Sequence, residues 1–260
     1  MNTKYPIILV HGIIIKDIGL IKSFGKIDSN LKAKGFKVYK SKIDGFATIE
    51  NNALALKKEI DRLIDKWGCG KVNIIAHSKG GLDAKYMIQN LGMEDKVASL
   101  TTLCTPHKGS PIASSILKSP RWILKFLAFW INLFYRIFGD KNPDSLTVCE
   151  ELAQVDENSS EVFDTCKTYC QSYSSKLEDS KDDFVMGLPH KFYNKFTNGA
   201  ENDGLVSPDS ASSFGEYKGK AIEGSWSHSE IVDFMVKKKK REKVYSFYYK
   251  ICENLIAKGF

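Results

Sequence analysis

No CxxC pair occurs anywhere in the 260 residues. None of the six cysteines, Cys69, Cys104, Cys149, Cys166, Cys170 and Cys252, stands in a His or Asp pattern of zinc-ligand spacing. Cys166 and Cys170 come nearest, one helical turn apart. The cysteines therefore read as reduced thiols of a cytosolic protein rather than a metal or disulfide framework. The opening "MNTKYPIILVHG" lacks the basic region, apolar stretch and small-residue cleavage site of a secretion signal, so the expected compartment is the cytoplasm. Internal repeats and low-complexity linkers are missing too, which points to one domain over residues 1–260. Aromatics do not interleave with the basic residues, and no nucleic-acid motif occurs, so no nucleic-acid partner is expected.

What is present suits a soluble globular chain. Hydrophobic residues make up 43% and charged residues 27%, a balance that excludes disorder. The net charge of +7 is mildly basic. Much of it falls in the run Lys237–Lys243, which reads as a solvated helix face or as attraction toward anionic membrane surfaces.

Hydrophobic periodicity alternates between two types. Tyr5–Val10, Phe36–Ile43, Val72–Ala76 and Val97–Cys104 read as strands, and Phe192–Thr197 and Ala221–Gly224 as short late strands. Leu56, Ile60, Leu63, Ile64 and Trp67 recur at helical spacing. Residues 79–91 and the segment from Val244 to Ile256 also read as helices. Strands alternating with helices predict an α/β fold, a mainly parallel sheet of about six strands covered on both faces.

Residues 111–188 break the alternation and show no convincing strand. They read as a helical insertion. Within it, Arg121, Lys125, Asn132 and Arg136 fall within roughly 60° of a helical wheel turning about 100° per residue. The rest of 121–138 is apolar and aromatic. That stretch is short and charged for a membrane span. A core helix, or a lid whose greasy face covers a site in water and meets lipid when open, fits better. In the lid reading Trp122, Phe126, Phe129, Trp130 and Phe134 line the acyl-binding face.

The stretch "AHSKGG", residues 76–81, follows a strand and opens a helix. A sharp turn in that context presents a serine at the strand's carboxyl end, with glycines where helix and strand pack closely. It is a G-x-S-x-G elbow with Ala76 in the first glycine position.

In "YPIILVHGI", "AHSKGGLDAKYMI", "TLCTPHKGSPIA", "NDGLVSPDSASSFGE" and "SHSEIVDF" the chain resembles bacterial triacylglycerol lipases of the α/β-hydrolase fold. The segments come in that family's order and cover most of the chain outside the insertion. The resemblance implies a serine carboxylic-ester hydrolase acting on acylglycerols or other lipid esters through an acyl-enzyme. An intracellular esterase, thioesterase or acyltransferase with the same triad is the alternative, and a non-catalytic lipid-binding relative a more distant one. By the same resemblance Ser78 is the nucleophile, His228 the general base and Asp203 the acid, in the chain order Ser, Asp, His. Asp209 and Asp233 remain alternative acids. The backbone N–H groups of Ile13 and Lys79 are the expected oxyanion donors. His11 and His107 are expected to be structural. The Lys79 side chain, a cation at a helix N-terminus, opposes the macrodipole and is expected to point to solvent. No cofactor is implied. Secreted relatives hold calcium near the histidine, and Glu230 stands where one ligand would. The segment before Asp203 offers no obvious second carboxylate, so no metal is expected.

Overall fold

The computed structural model describes residues 2–13, 22–109, 147, 150–152, 155, 167–215 and 225–260. The strands are β1 (Ile7–Val10), β2 (Val38–Lys40), β3 (Val72–His77), β4 (Val97–Leu103) and β5 (Tyr169–Tyr173). The helices are α1 (Ile27–Ala33), α2 (Ile49–Trp67), α3 (Lys79–Asn90), α4 (Gly187–Phe196), α5 (Pro208–Ala211) and α6 (Lys238–Ala257), with a 3₁₀ turn at Glu230–Val232.

The five described strands form one sheet in the order β2-β1-β3-β4-β5. Every pairing is parallel. Each strand therefore needs a crossover, and the crossovers cover both faces. Side-chain alternation sorts the core accordingly. Ile7, Leu9, Ile75 and Leu103 face α1 and α6, packing with Leu31, Phe247 and Tyr248. Ile8, Val10, Ile74 and Ala76 face the other way, onto Leu56, Ile60 and Leu63 of α2 and Met87 and Ile88 of α3. Helix α2 is bounded by its sequence. The Thr48 side chain accepts a hydrogen bond from the Asn51 N–H, and Gly68 ends the helix in the left-handed region at φ 60°.

Three sequence expectations are corrected. Residues 111–188 do contain a strand. β5 is written "YCQSY", neither an apolar run nor an alternation, yet Gln171 and Ser172 are fully buried. Hydrogen bonds make that tolerable: Gln171 donates to Thr101 Oγ1 at 2.8 Å and accepts from Asn254 at 2.8 Å, and Ser172 donates to the Phe214 carbonyl. Phe192–Phe196 is the end of helix α4, with Thr197 as its C-cap, not a strand. Its buried residues, Gly187, His190 and Tyr193, recur every third position, which is a helical period. Strand β2 is also shorter than Phe36–Ile43. The expected strand at Ala221–Gly224 lies outside the described residues. So do Trp122, Phe126, Phe129, Trp130 and Phe134, and with them the lid reading.

Strand order reverses between β1 and β3, so the chain leaves their carboxyl ends in opposite directions and opens a crevice there. His11–Gly12, Ser78 and Cys104–Thr105 all lie at such ends.

Candidate active site

Ser78 directly follows β3 and precedes α3. Its backbone stands at φ 54° and ψ −134°, a strained conformation for a residue with a Cβ. Such a position costs on the order of 1–3 kcal/mol and persists only where the surroundings enforce it. Here they do. The Ser78 N–H donates to the Leu103 carbonyl, and the Ser78 carbonyl accepts from Thr105 Oγ1 and the Gly81 N–H. A Cβ on Gly80 would collide with the carbonyl oxygens of Val10 and His11, and one on Gly81 with the Thr105 side chain. The two glycines are therefore needed for α3 to pack this close.

The serine hydroxyl lies 2.9 Å from His228 Nε2. On the other side of the ring, Nδ1 lies 2.8 Å from Asp203 Oδ2. A carboxylate can only accept, so Nδ1 carries the proton and Nε2 is left to accept from Ser78. Asp203 is 1% exposed, and its second oxygen accepts from the N–H groups of Leu205 and Val206. The His228 N–H donates to the Asp203 carbonyl at 2.8 Å, which ties the two loops together. Behind the acid lies the Cys104 thiol, hydrogen-bonded to it and pushed well above its usual pKa, chiefly by burial. The structure thus brings together Ser78, His228 and Asp203. Asp209 is exposed and pairs with Lys108, and Asp233 is held by Arg241, so neither serves His228.

Gly12 passes directly over the serine. A Cβ there would lie 2.6 Å from Ser78 Cβ and 3.0 Å from the Lys79 nitrogen. Ile13 follows, half-buried against Leu82 and Leu152. The Gly12 turn and the Lys79 nitrogen therefore meet beside Ser78. His11 is buried and donates from Nδ1 to the Gly12 carbonyl, bracing this turn. His107 is buried against Phe214, with Nε2 2.9 Å from Thr102 Oγ1. His77 packs 4.5 Å from the His228 ring. Burial first, and the nearby His228 second, push its pKa well below the usual value.

The Lys79 side chain corrects the sequence reading. It is 1% exposed, and its ammonium lies 2.7 Å from Asp83 one turn along α3. The i,i+4 spacing lets Asp83 neutralise the cation that the helix terminus disfavours. Asn52 donates to the other Asp83 oxygen at 2.9 Å. Burial pushes the Asp83 pKa up to about 6, with Lys79 and Asn52 pulling the other way. Stranding either partner should be costly. Lys79→Met is expected to destabilise the fold by about 3–5 kcal/mol, and the Lys79→Met/Asp83→Leu pair to recover most of it. Thermal melts read both. Because Lys79 would act through its backbone, the double variant should keep near-normal turnover per folded molecule. A double variant that is stable but inert would assign the side chain a chemical role.

The histidine loop is clamped by residues that sequence reasoning passed over. Ser227 Oγ accepts from the Glu230 N–H at 3.1 Å, while Glu230 Oε2 accepts from the Ser227 N–H at 3.2 Å, a reciprocal cap around His228. Asp183 accepts from Ser227 Oγ at 2.5 Å and from Ser229 Oγ at 3.3 Å, flanking the histidine on both sides. Its other oxygen accepts from the N–H groups of Val185 and Met186. No local pattern marks Asp183, which stands 20 positions before Asp203 with helix α4 between them. Glu230, the position suggested for calcium, is 2.8 Å from the Lys240 ammonium. Part of the basic run is thus tied to neighbouring groups of the fold. Lys240 neutralises Glu230, Arg241 pairs with Asp233, and Lys237 donates to the Asp182 carbonyl. Among the described residues, potential ligand atoms of Cys104, Asp203 and His228 lie within 4.8 Å of one another. Two of those residues, Asp203 and His228, are already bonded to each other.

Known proteins share this arrangement of chain. No family model matches it. Triacylglycerol lipase 2 of Saccharomyces cerevisiae is 30% identical over 258 residues, covering 88% of this chain and 72% of the yeast protein. The triacylglycerol lipase of Pseudarthrobacter phenanthrenivorans is 34% identical over 142 residues, 51% of this chain and 44% of that one. The chain thus spans less than half of that bacterial relative. Among solved structures, mature Bacillus licheniformis lipase BlEst2 superposes with a TM-score of 0.69 at 20% identity, covering 96% of this chain and 92% of that one. Staphylococcus hyicus lipase gives 0.67 at 16% identity, over 98% and 96%. At those identities the likeness concerns the fold, which is that of the lipase α/β-hydrolases.

Proposed function

The chain belongs to the triacylglycerol lipase family as a lipase-type carboxylic-ester hydrolase, and from that premise we propose that it cleaves acylglycerol esters through an acyl-enzyme on Ser78. The observation that carries this is the unbroken hydrogen-bonded chain from Ser78 Oγ through His228 to Asp203. Substrate enters with its carbonyl carbon over Ser78 Oγ and its oxygen toward the N–H groups of Lys79 and Ile13. His228 Nε2 takes the hydroxyl proton as Oγ bonds to carbon. Asp203 holds the ring in the required tautomer and stabilises the imidazolium. The tetrahedral oxyanion collapses, the C–O bond to the alcohol breaks, and the alkoxide leaves with the proton from His228. Water then repeats the sequence, with His228 as base, and releases the fatty acid and free serine.

The substrate class is tested by two assays on one preparation. Hydrolysis of an emulsified long-chain glyceride and of a soluble short-chain ester are both expected, with higher turnover on the emulsion. Activity confined to soluble esters would make the protein an esterase. Activity only on acyl thioesters, or transfer to an alcohol in place of water, would move it to those neighbouring classes.

A further inference from the structure

Helix α4 leaves an apolar stripe unpartnered. Phe184 is 93% exposed, Leu188 64%, Phe192 50% and Phe196 56%. They stand four residues apart, so from the helix start onward they follow one face. Exposed apolar side chains are ordinary when scattered, but a contiguous row of this kind marks a contact surface. The helix is held by its other side, through Gly187, His190 and Tyr193. Lys237 reaches the Asp182 carbonyl at 2.7 Å, two residues before Phe184, and Met235, two residues before Lys237, is itself 66% exposed.

Along the helix itself the charges have one sign, whereas Glu178, Asp179 and Asp182 precede the Phe184 end. Residues 184–200 contain no aspartate or glutamate, whereas Lys191 and Lys195 are exposed along the helix. Lys237, Lys238 and Lys239 are exposed beyond Met235. The next acid in the chain, Glu201, is paired with Lys176. An apolar row edged by lysines matches the two layers of an anionic lipid surface, with acyl chains for the aromatics and headgroups for the ammonium groups. A protein partner or second copy with an apolar groove would meet the row but would not need the lysines that border Leu188, Phe192 and Phe196.

The site lies close behind. Phe184 sits between Asp183, which bonds both serines flanking His228, and Met186, which packs against Gly204 beside Asp203. We propose that the Phe184–Leu188–Phe192–Phe196 face of α4, with its lysine border, is a docking surface for anionic phospholipid membranes. It would hold the catalytic loops at the lipid phase. This rests on the ester-hydrolase reading, and it concerns a helix separate from the 121–138 segment.

The test is flotation of the Ser78→Ala protein, which leaves the lipid intact, with two kinds of vesicle. One is phosphatidylcholine alone, and the other contains about a third phosphatidylglycerol. The anionic vesicles are expected to bind the protein at least tenfold more tightly. Phe192→Ser/Phe196→Ser should lose that binding at least tenfold, as should Lys191→Glu/Lys195→Glu. With Ser78 intact, both variants should keep soluble-ester hydrolysis within about twofold, which separates a failed docking surface from a failed catalytic reading. No binding to anionic vesicles would overturn the proposal, and so would unchanged binding by either variant. Light scattering covers the remaining occupant. A dimer that Phe192→Ser/Phe196→Ser converts to monomer would give the face to a second copy instead.

Discussion

Ser78→Ala is expected to lower ester turnover by about 10⁶-fold while the protein melts within a few degrees of the parent. The size follows from what the hydroxyl does. Without it there is no acyl-enzyme, and His228 and Asp203 lose the proton they are arranged to move, so removal of one member costs about as much as removal of all. Binding and the oxyanion donors leave a small residual rate over water. The fold should survive because alanine only deletes an oxygen whose partner is His228 Nε2. The backbone bonds of Ser78 to Leu103, Thr105 and Gly81 remain. Its positive φ is strained for serine and alanine alike. Initial rates on a soluble ester, with a melt in parallel, check the prediction. A rate within tenfold of the parent would place the nucleophile elsewhere.

Asp203→Asn is expected to reduce kcat by about 10⁴-fold with little change in KM. The carboxylate at present accepts from His228 Nδ1–H, which leaves Nε2 unprotonated toward Ser78. An asparagine that presents its NH₂ to Nδ1 favours the opposite tautomer, with the proton on Nε2. The imidazole then cannot take the serine proton. The variant should fold, because the amide oxygen can still accept from Leu205 and Val206, whose N–H groups are tied to the other Asp203 oxygen. The same substitution at Asp209 or Asp233 should leave kcat within about threefold, apart from a stability loss at Asp233, whose carboxylate also accepts from the Lys26 N–H and Tyr245. A near-normal rate for Asp203→Asn would sink this division of roles.

The residues to which the proposal assigns the chemistry are also the ones easiest to read in the sequence. Ser78 stands in a turn that only a strand, a small residue and two glycines can build, so its motif is a steric requirement written locally. His228 and Asp203 were legible by order and by flanking segments, and the competing Asp209 and Asp233 needed coordinates to set aside. Apolar strands were found because burial on both faces leaves them no polar alternative. β5 was missed for the opposite reason. It buries Gln171 and Ser172, whose partners on β4, α6 and the Phe214 turn are far away in sequence. Period in α4 was obscured because its aromatics face outward, so apolar residues and buried residues are not the same set. Lys79 was read from the helix dipole alone, although Asp83 at i+4 was in view and decides the matter. Asp183 carried no signal in the sequence. Its role depends on a fold that returns Ser227 and Ser229 to it across 44 and 46 positions.

One measurement bears most directly on the claim that Ser78 is the activated nucleophile. The protein is treated with a fluorophosphonate ester, which a serine attacks only when a base takes its proton, and is then digested with trypsin and mapped by mass spectrometry. Cleavage after Lys71 and Lys79 isolates residues 72–79, with Ser78 as the single serine in the peptide. The expected result is one stoichiometric adduct on that peptide, absent after denaturation and slowed by orders of magnitude in His228→Ala. An adduct on another peptide, or a folded protein that takes up no label, would contradict it.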